Sequence, residues 1–208
     1  MTAIVDYGVG NLFSLRRSLD FIGAQNAVTN DPAVILKADR IILPGVGAFG
    51  DAAKKLAEGG FFPLLRERAA SGVPILGICL GMQLLFDESE EFGRHEGLGL
   101  ISGRVCPLKA SLDALGLSYK LPQMGWNALH FVKADAPLLK YSRAGAFVYY
   151  VHSHYATEVK DSLVAFSEYG VRVPGIVQAG SVMGCQFHPE KSGDAGLAIL
   201  RAFVEYQP

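Results

Sequence analysis

Short apolar runs alternate with amphipathic stretches through the first 90 residues of the chain. Thr2 to Asp6, Gln25 to Thr29 and Arg40 to Leu43 read as buried strands, and Val73-Pro74-Ile75-Leu76 as a fourth that leads toward Cys79. Between them, Leu12 to Ile22 carries apolar residues at helical spacing with Asn11 placed to cap it, and Phe61 to Ser71 gives a second helix. Strand and helix in alternation predict an α/β fold, a largely parallel sheet with helices on both faces. The second half is richer in short strands: Phe147 to Val151, Ser162 to Ser167, and Val171 to Gln178 with a turn or bulge at Pro174-Gly175. Ser181 to Phe187 reads as a strand that ends at His188, because Pro189 cannot pair in a ladder and biases its predecessor to extended backbone. Asp194 to Glu205 closes the chain as a helix. No repeat, low-complexity tract or linker interrupts this order, so residues 1–208 are expected to form a single domain.

Composition narrows the classes of function. Half of the 208 residues are hydrophobic, enough for a sizeable core. A net charge of -1 without a basic cluster argues against a nucleic-acid surface. Cys79, Cys106 and Cys185 are scattered and odd in number, the pattern of reduced thiols in a cytoplasmic protein rather than of a disulfide framework. Met1 to Val5 meets Asp6 too soon for a signal peptide, and no apolar run approaches the roughly 20 residues of a bilayer span.

The most informative stretch is G-I-C-L-G, Gly77 to Gly81, directly after the fourth apolar run. A buried strand that turns sharply into a helix through small residues, with a nucleophile at the apex, is how α/β hydrolytic enzymes present an attacking atom. Here that atom is the sulfur of Cys79. Leu80 to Phe86 is expected to be the helix, so the thiol would sit at its N-terminus, where unpaired N–H groups and the macrodipole favour thiolate. The Leu80 N–H would face the same space and could serve an oxyanion. Gly77 and Gly81 remove Cβ atoms that would crowd the turn.

A thiolate acting on an acyl group needs a proton shuttle, and G-C-Q-F-H-P-E-K, Gly184 to Lys191, offers one. With two-residue spacing on extended chain, Glu190 would accept from one nitrogen of His188 while the other faces the thiol. A zinc site is the weaker alternative, because no third and fourth ligand stand at characteristic spacing. Gly8-Val9-Gly10 after the first strand invites a dinucleotide reading, but Phe13 occupies the place of the third glycine in G-x-G-x-x-G.

G-I-C-L-G-M-Q around Cys79 together with H-P-E-K-S, His188 to Ser192, resembles the class I (triad) glutamine amidotransferases. D-Y-G-V-G-N at Asp6 to Asn11, P-G-V-G at Pro44 to Gly47 and M-G-W-N at Met124 to Asn127 are similar to the glutaminase subunits of imidazole glycerol phosphate synthase, over Ile4 to about Phe203. Another glutaminase subunit or a free cysteine hydrolase of the same superfamily is the nearest rival. The resemblance implies a flavodoxin-like amidotransferase fold and a Cys79-His188-Glu190 triad that releases ammonia from L-glutamine. It further implies oxyanion donors from Val46, Gly47 and Leu80, and substrate contacts from Gln83, Glu91, Ser153 and His154. The ammonia would be channelled to a (β/α)8-barrel cyclase subunit of a heterodimer, docked through Asn11, Met124, Trp126 and Lys191. It implies no metal and no cofactor. Gln123 departs from the family pattern, which commonly has histidine there.

Overall fold

The computed structural model describes residues 1–208. In chain order the first part runs β1 (Thr2–Val5), α1 (Leu12–Phe21), β2 (Asn26–Thr29), α2 (Pro32–Leu36), β3 (Arg40–Gly45), α3 (Phe49–Glu58), α4 (Phe61–Ala70), β4 (Ile75–Cys79) and α5 (Leu80–Gln83). Three short strands follow, β5 (Glu88–Ser89), β6 (His95–Glu96) and β7 (Arg104–Pro107), then α6 (Leu108–Ala114), β8 (Gln123–Ala128) and β9 (His130–Phe131). The chain ends with β10 (Phe147–His152), β11 (His154–Thr157), β12 (Leu163–Tyr169), β13 (Val171–Ala179), β14 (Val182–Cys185) and α7 (Gly193–Glu205).

Eight strands form the central sheet in the order β2-β1-β3-β4-β14-β13-β12-β9. The five from β2 to β14 pair in parallel, as the strand and helix alternation implies. The other three pair antiparallel, so the sheet is mixed. The reason is local: β12, β13 and β14 are joined by tight turns at Gly170 and Gly180, both at positive φ, and a tight turn can only reverse a strand. The irregularity expected at Pro174-Gly175 is present as register shifts between β12 and β13, where Phe166 opposes Pro174 and Ala165 opposes Ile176.

Alternation along the parallel strands feeds two cores, one on each face of the sheet. Ile41 and Leu43 pack with Phe49, Leu56, Phe61 and Leu65 of α3 and α4. Ile42, Leu76 and Ile78 pack with Leu15 and Leu19 of α1 and Ile199, Leu200 and Phe203 of α7. Two small sheets, β8 with β10 and β11-β7-β5-β6, lie outside the central one.

Several expectations need correction. Asn11 stands at the N-cap of α1, but its side chain makes no capping bond. Helix α3 was not anticipated, although Phe49, Ala52, Ala53 and Leu56 carry the i, i+3, i+4, i+7 period that buries one face. The helix expected over Leu80 to Phe86 is a single turn. It stops because the carbonyls of Leu84, Leu85 and Phe86 accept from the N–H groups of Leu98 to Ile101 instead of from a following turn.

Candidate active site

Strand β4 delivers Cys79 to the C-terminal edge of the sheet, where open α/β sheets place their sites. Cys79 has φ 54° and ψ -112°, a left-handed conformation that L residues avoid and that costs roughly 1 to 3 kcal/mol. The turn closes only because its flanking residues lack side chains. A Cβ on Gly81 would stand 1.8 Å from the Leu43 carbonyl oxygen, and one on Gly77 would stand 2.5 Å from that of Gly81. With α5 only one turn long, the macrodipole gives the sulfur little. The unpaired N–H groups of that turn are what remain.

His188 follows β14, and its backbone N–H donates to Tyr149 O at 2.9 Å. Glu190 reaches it through a 3-10 turn, Pro189–Lys191, rather than along extended chain as expected. The result is the anticipated contact: His188 Nδ1 donates to Glu190 Oε1 at 2.9 Å, both side chains being almost fully buried. Ser192 Oγ fixes the turn by donating to His188 O at 2.6 Å. His188 Nε2 makes no hydrogen bond, which leaves it as the nitrogen available to Cys79. Burial alone would lower the His188 pKa. The Cys79 sulfur and the Glu190 carboxylate outweigh it and lift the value from 6.5 to about 9.

Cys79, His188, Val46, Gly47, Leu80, Gln83, Glu91, Ser153 and His154 line one cavity of about 290 Å³. Every residue assigned from the sequence to catalysis or substrate contact, Glu190 excepted, borders it. Glu190 stands behind His188. A larger groove, about 690 Å³, lies between α1 and the start of α7 and touches Glu190 from outside, but neither a cysteine nor a histidine lines it.

One end of the cavity is acidic. Glu91 Oε2 accepts from the Phe49 N–H at 2.7 Å and Glu91 Oε1 lies 3.2 Å from His154 Nδ1. Burial opposes the Glu91 carboxylate, yet the hydrogen bonds from His154 and Phe49 prevail and hold its pKa below the ordinary carboxylate value. His152 is buried, and burial pushes its pKa down to about 4, so it is a neutral imidazole whose Nδ1 donates to His154 O at 2.9 Å.

Comparison with known proteins places this geometry in context. The class-I glutamine amidotransferase family model matches residues 3–206. The imidazole glycerol phosphate synthase subunit HisH of Bacillus licheniformis is 48% identical over 207 residues, 99% of this chain and 96% of that protein. The chain belongs to the HisH family of class-I glutamine amidotransferases. HisH of Listeria monocytogenes is 47% identical over 99% of the chain and 95% of its own length. Among solved structures, one described as a glutamine amidotransferase superposes with a TM-score of 0.75 at 19% identity, covering 98% of this chain and 97% of its own. PurLQS from Thermotoga maritima superposes at 0.71 with 20% identity, covering 99% and 97%. At such identities the two structures speak for the fold alone, and that fold is the class-I amidotransferase one.

None of the residues that the HisH resemblance assigns to docking lines the catalytic cavity itself. Met124 and Trp126 are 62% and 52% exposed on the outer face of β8. Trp126 meets Tyr149 edge-on at 5.9 Å, and Lys191 Nζ lies 6.0 Å from the same ring. Asn11 borders a narrow recess with Gly45, His188 and Glu190. Gln123, the departure from the family pattern, is fully buried and donates to Asn127 Oδ1 at 3.0 Å.

Sequence reasoning missed three participants. Tyr7 donates to Pro44 O at 2.7 Å and tethers the end of β3 beside the elbow. The Phe49 N–H anchors Glu91. Gln186, wholly buried, donates to Cys79 Sγ at 3.7 Å. The available signal was a glutamine inside an apolar strand two residues before His188, since buried polar groups find partners.

Proposed function

We propose that this chain, acting as one domain over residues 1–208, hydrolyses L-glutamine to glutamate and ammonia through Cys79, His188 and Glu190. The observation that carries the reading is a strained, positive-φ cysteine beside a histidine whose other nitrogen is held by a buried carboxylate. Cys79 thiolate attacks the side-chain amide carbon, and the carbonyl pair moves onto oxygen. N–H groups of Leu80 and of the Val46-Gly47 segment receive that oxyanion, each donor contributing about 2.7 to 4 kcal/mol to transition-state stabilisation. His188 protonates the departing nitrogen, then deprotonates the water that cleaves the glutamyl thioester. Glu190 keeps the proton on Nδ1, so Nε2 is the nitrogen that exchanges protons with sulfur, ammonia and water.

Glu91 offers the counter-charge for the α-ammonium of the substrate, and Gln83, Ser153 and His154 complete the pocket. As a HisH family member the chain serves an imidazole glycerol phosphate synthase in histidine biosynthesis, and the cytoplasm is its compartment. Its partner is a (β/α)8-barrel cyclase subunit, bound as a heterodimer through Asn11, Met124, Trp126 and Lys191. Ammonia passes to that subunit unprotonated, and the products there are imidazole glycerol phosphate and an aminoimidazole carboxamide ribonucleotide. The test is Cys79→Ala in the complex. Glutamine-dependent synthesis should vanish while synthesis from added ammonium salt survives; equal loss of both overturns the proposal.

A further inference from the structure

The directions of two buried amides can be deduced from one backbone carbonyl. His154 O can only accept, and it receives Gln83 Nε2 at 2.9 Å as well as His152 Nδ1 at 2.9 Å. The Gln83 side chain is therefore oriented with its NH2 group toward His154. The same NH2 group reaches Gln186 at 3.1 Å, so the Gln186 atom facing it must be the carbonyl oxygen. That fixes the other end: Gln186 turns its NH2 group to Cys79 Sγ at 3.7 Å. Neither amide can flip without setting donor against donor or acceptor against acceptor in a buried place. The backbone of Gln186 is equally constrained, since its N–H extends the β13–β14 ladder to Gly175 O at 3.0 Å.

We propose that Gln186 is a further catalytic residue, whose side-chain amide donates to the Cys79 sulfur and stabilises it as thiolate. A donor facing sulfur favours the anion over the thiol, because the anion is the stronger acceptor. Through Gln83 the same row of bonds ends on His154, which also holds Glu91. The nucleophile and the acidic end of the cavity are thus both tied to His154, the one through its backbone carbonyl and the other through its ring. This inference rests on the glutaminase reading for its catalytic meaning, but the contact with sulfur can be tested without it.

The measurement is the pH dependence of Cys79 alkylation, beside kcat and KM for glutamine, in wild type and Gln186→Met. Tyr7, Cys185 and His188 act on the sulfur, Glu91, His152 and His154 line the same cavity, and Glu190 stands behind His188; all are unchanged in the variant. The thiolate midpoint should rise by about one pH unit and kcat should fall about tenfold, the lower range for a hydrogen bond to a charged acceptor, with KM little altered. A purely structural role would leave the midpoint in place. Should Gln186→Met fail to fold, Gln186→Leu likewise removes the donor without adding a charge, and the same rise is expected. An unmoved midpoint in a folded variant overturns the proposal. If wild type alkylates normally but does not hydrolyse glutamine, it is the function that fails and not the contact.

Discussion

Replacing Cys79 by alanine should change the charge of a residue that the mutation does not touch. His188 is raised from 6.5 to about 9, so its neighbours favour imidazolium by more than burial opposes it. The charge on the sulfur contributes to that rise, and Glu190 adds a hydrogen bond and a charge of its own. Without the sulfur, Glu190 faces the burial penalty alone, and the His188 midpoint should fall by at least about one unit, roughly 1.4 kcal/mol. Because the folded value lies above the unfolded one, protonated His188 stabilises the fold below about 6.5, and that contribution is lost as pH rises toward about 9. The variant should therefore lose less stability than wild type between pH 6 and pH 9. An NMR titration of the His188 ring, with denaturant melts across that range, reads both quantities. A midpoint that stays at the wild-type value would refute the coupling of ring to sulfur.

Three further outcomes follow from particular contacts. Gly81→Ala drives a Cβ to 1.8 Å from the Leu43 carbonyl, so the melting temperature should drop by an amount equivalent to at least about 3 kcal/mol; a change under 1 kcal/mol would contradict the described approach of the elbow to β3. A glutamine-like electrophile should label Cys79 before Cys185, which is fully buried and whose thiol burial pushes well up, and before Cys106, which bonds Thr157 outside the cavity; peptide mass spectrometry that finds another order rejects the assignment. Glu91→Gln should raise KM for glutamine about tenfold or more with a smaller change in kcat, and steady-state kinetics showing the reverse would remove Glu91 from substrate binding.

What could be read from sequence was whatever is encoded in adjacent residues. The elbow is legible because a sharp turn demands small residues at fixed offsets, and Gly77 and Gly81 stand at those offsets. His188 and Glu190 are legible because Pro189 fixes the chain between them, although the turn they make is 3-10 and not extended. Strands buried on both faces announce themselves as unbroken apolar runs, as in β1, β3 and β4. The two-residue strands β5, β6 and β9 carry no period, and β8 mixes Met124 and Trp126 facing outward with polar Gln123 and Asn127, so neither could be seen. The length of α5 depended on carbonyl partners from residues 98–101, far from the local pattern. Gln186 was invisible as a participant for a similar reason: its partners, Cys79 and Gln83, are 107 and 103 residues away.

The position of β4 has a consequence for how the chain comes off the ribosome. β4 lies between β3 and β14, and its pairing with β14 joins Ile75 to Val182 and Ile78 to Cys185. While the intervening residues are being synthesised, one whole edge of this apolar strand has no neighbour, and open apolar edges invite pairing with other chains. The cysteine is therefore made early and waits beside an unfilled slot. When the last strand enters, it closes the edge and brings Gln186, His188 and Glu190 with it. A chain that ends before Val182 lacks both the strand that covers this edge and the groups that act on Cys79, so covering the edge and assembling the surroundings of the sulfur are a single event.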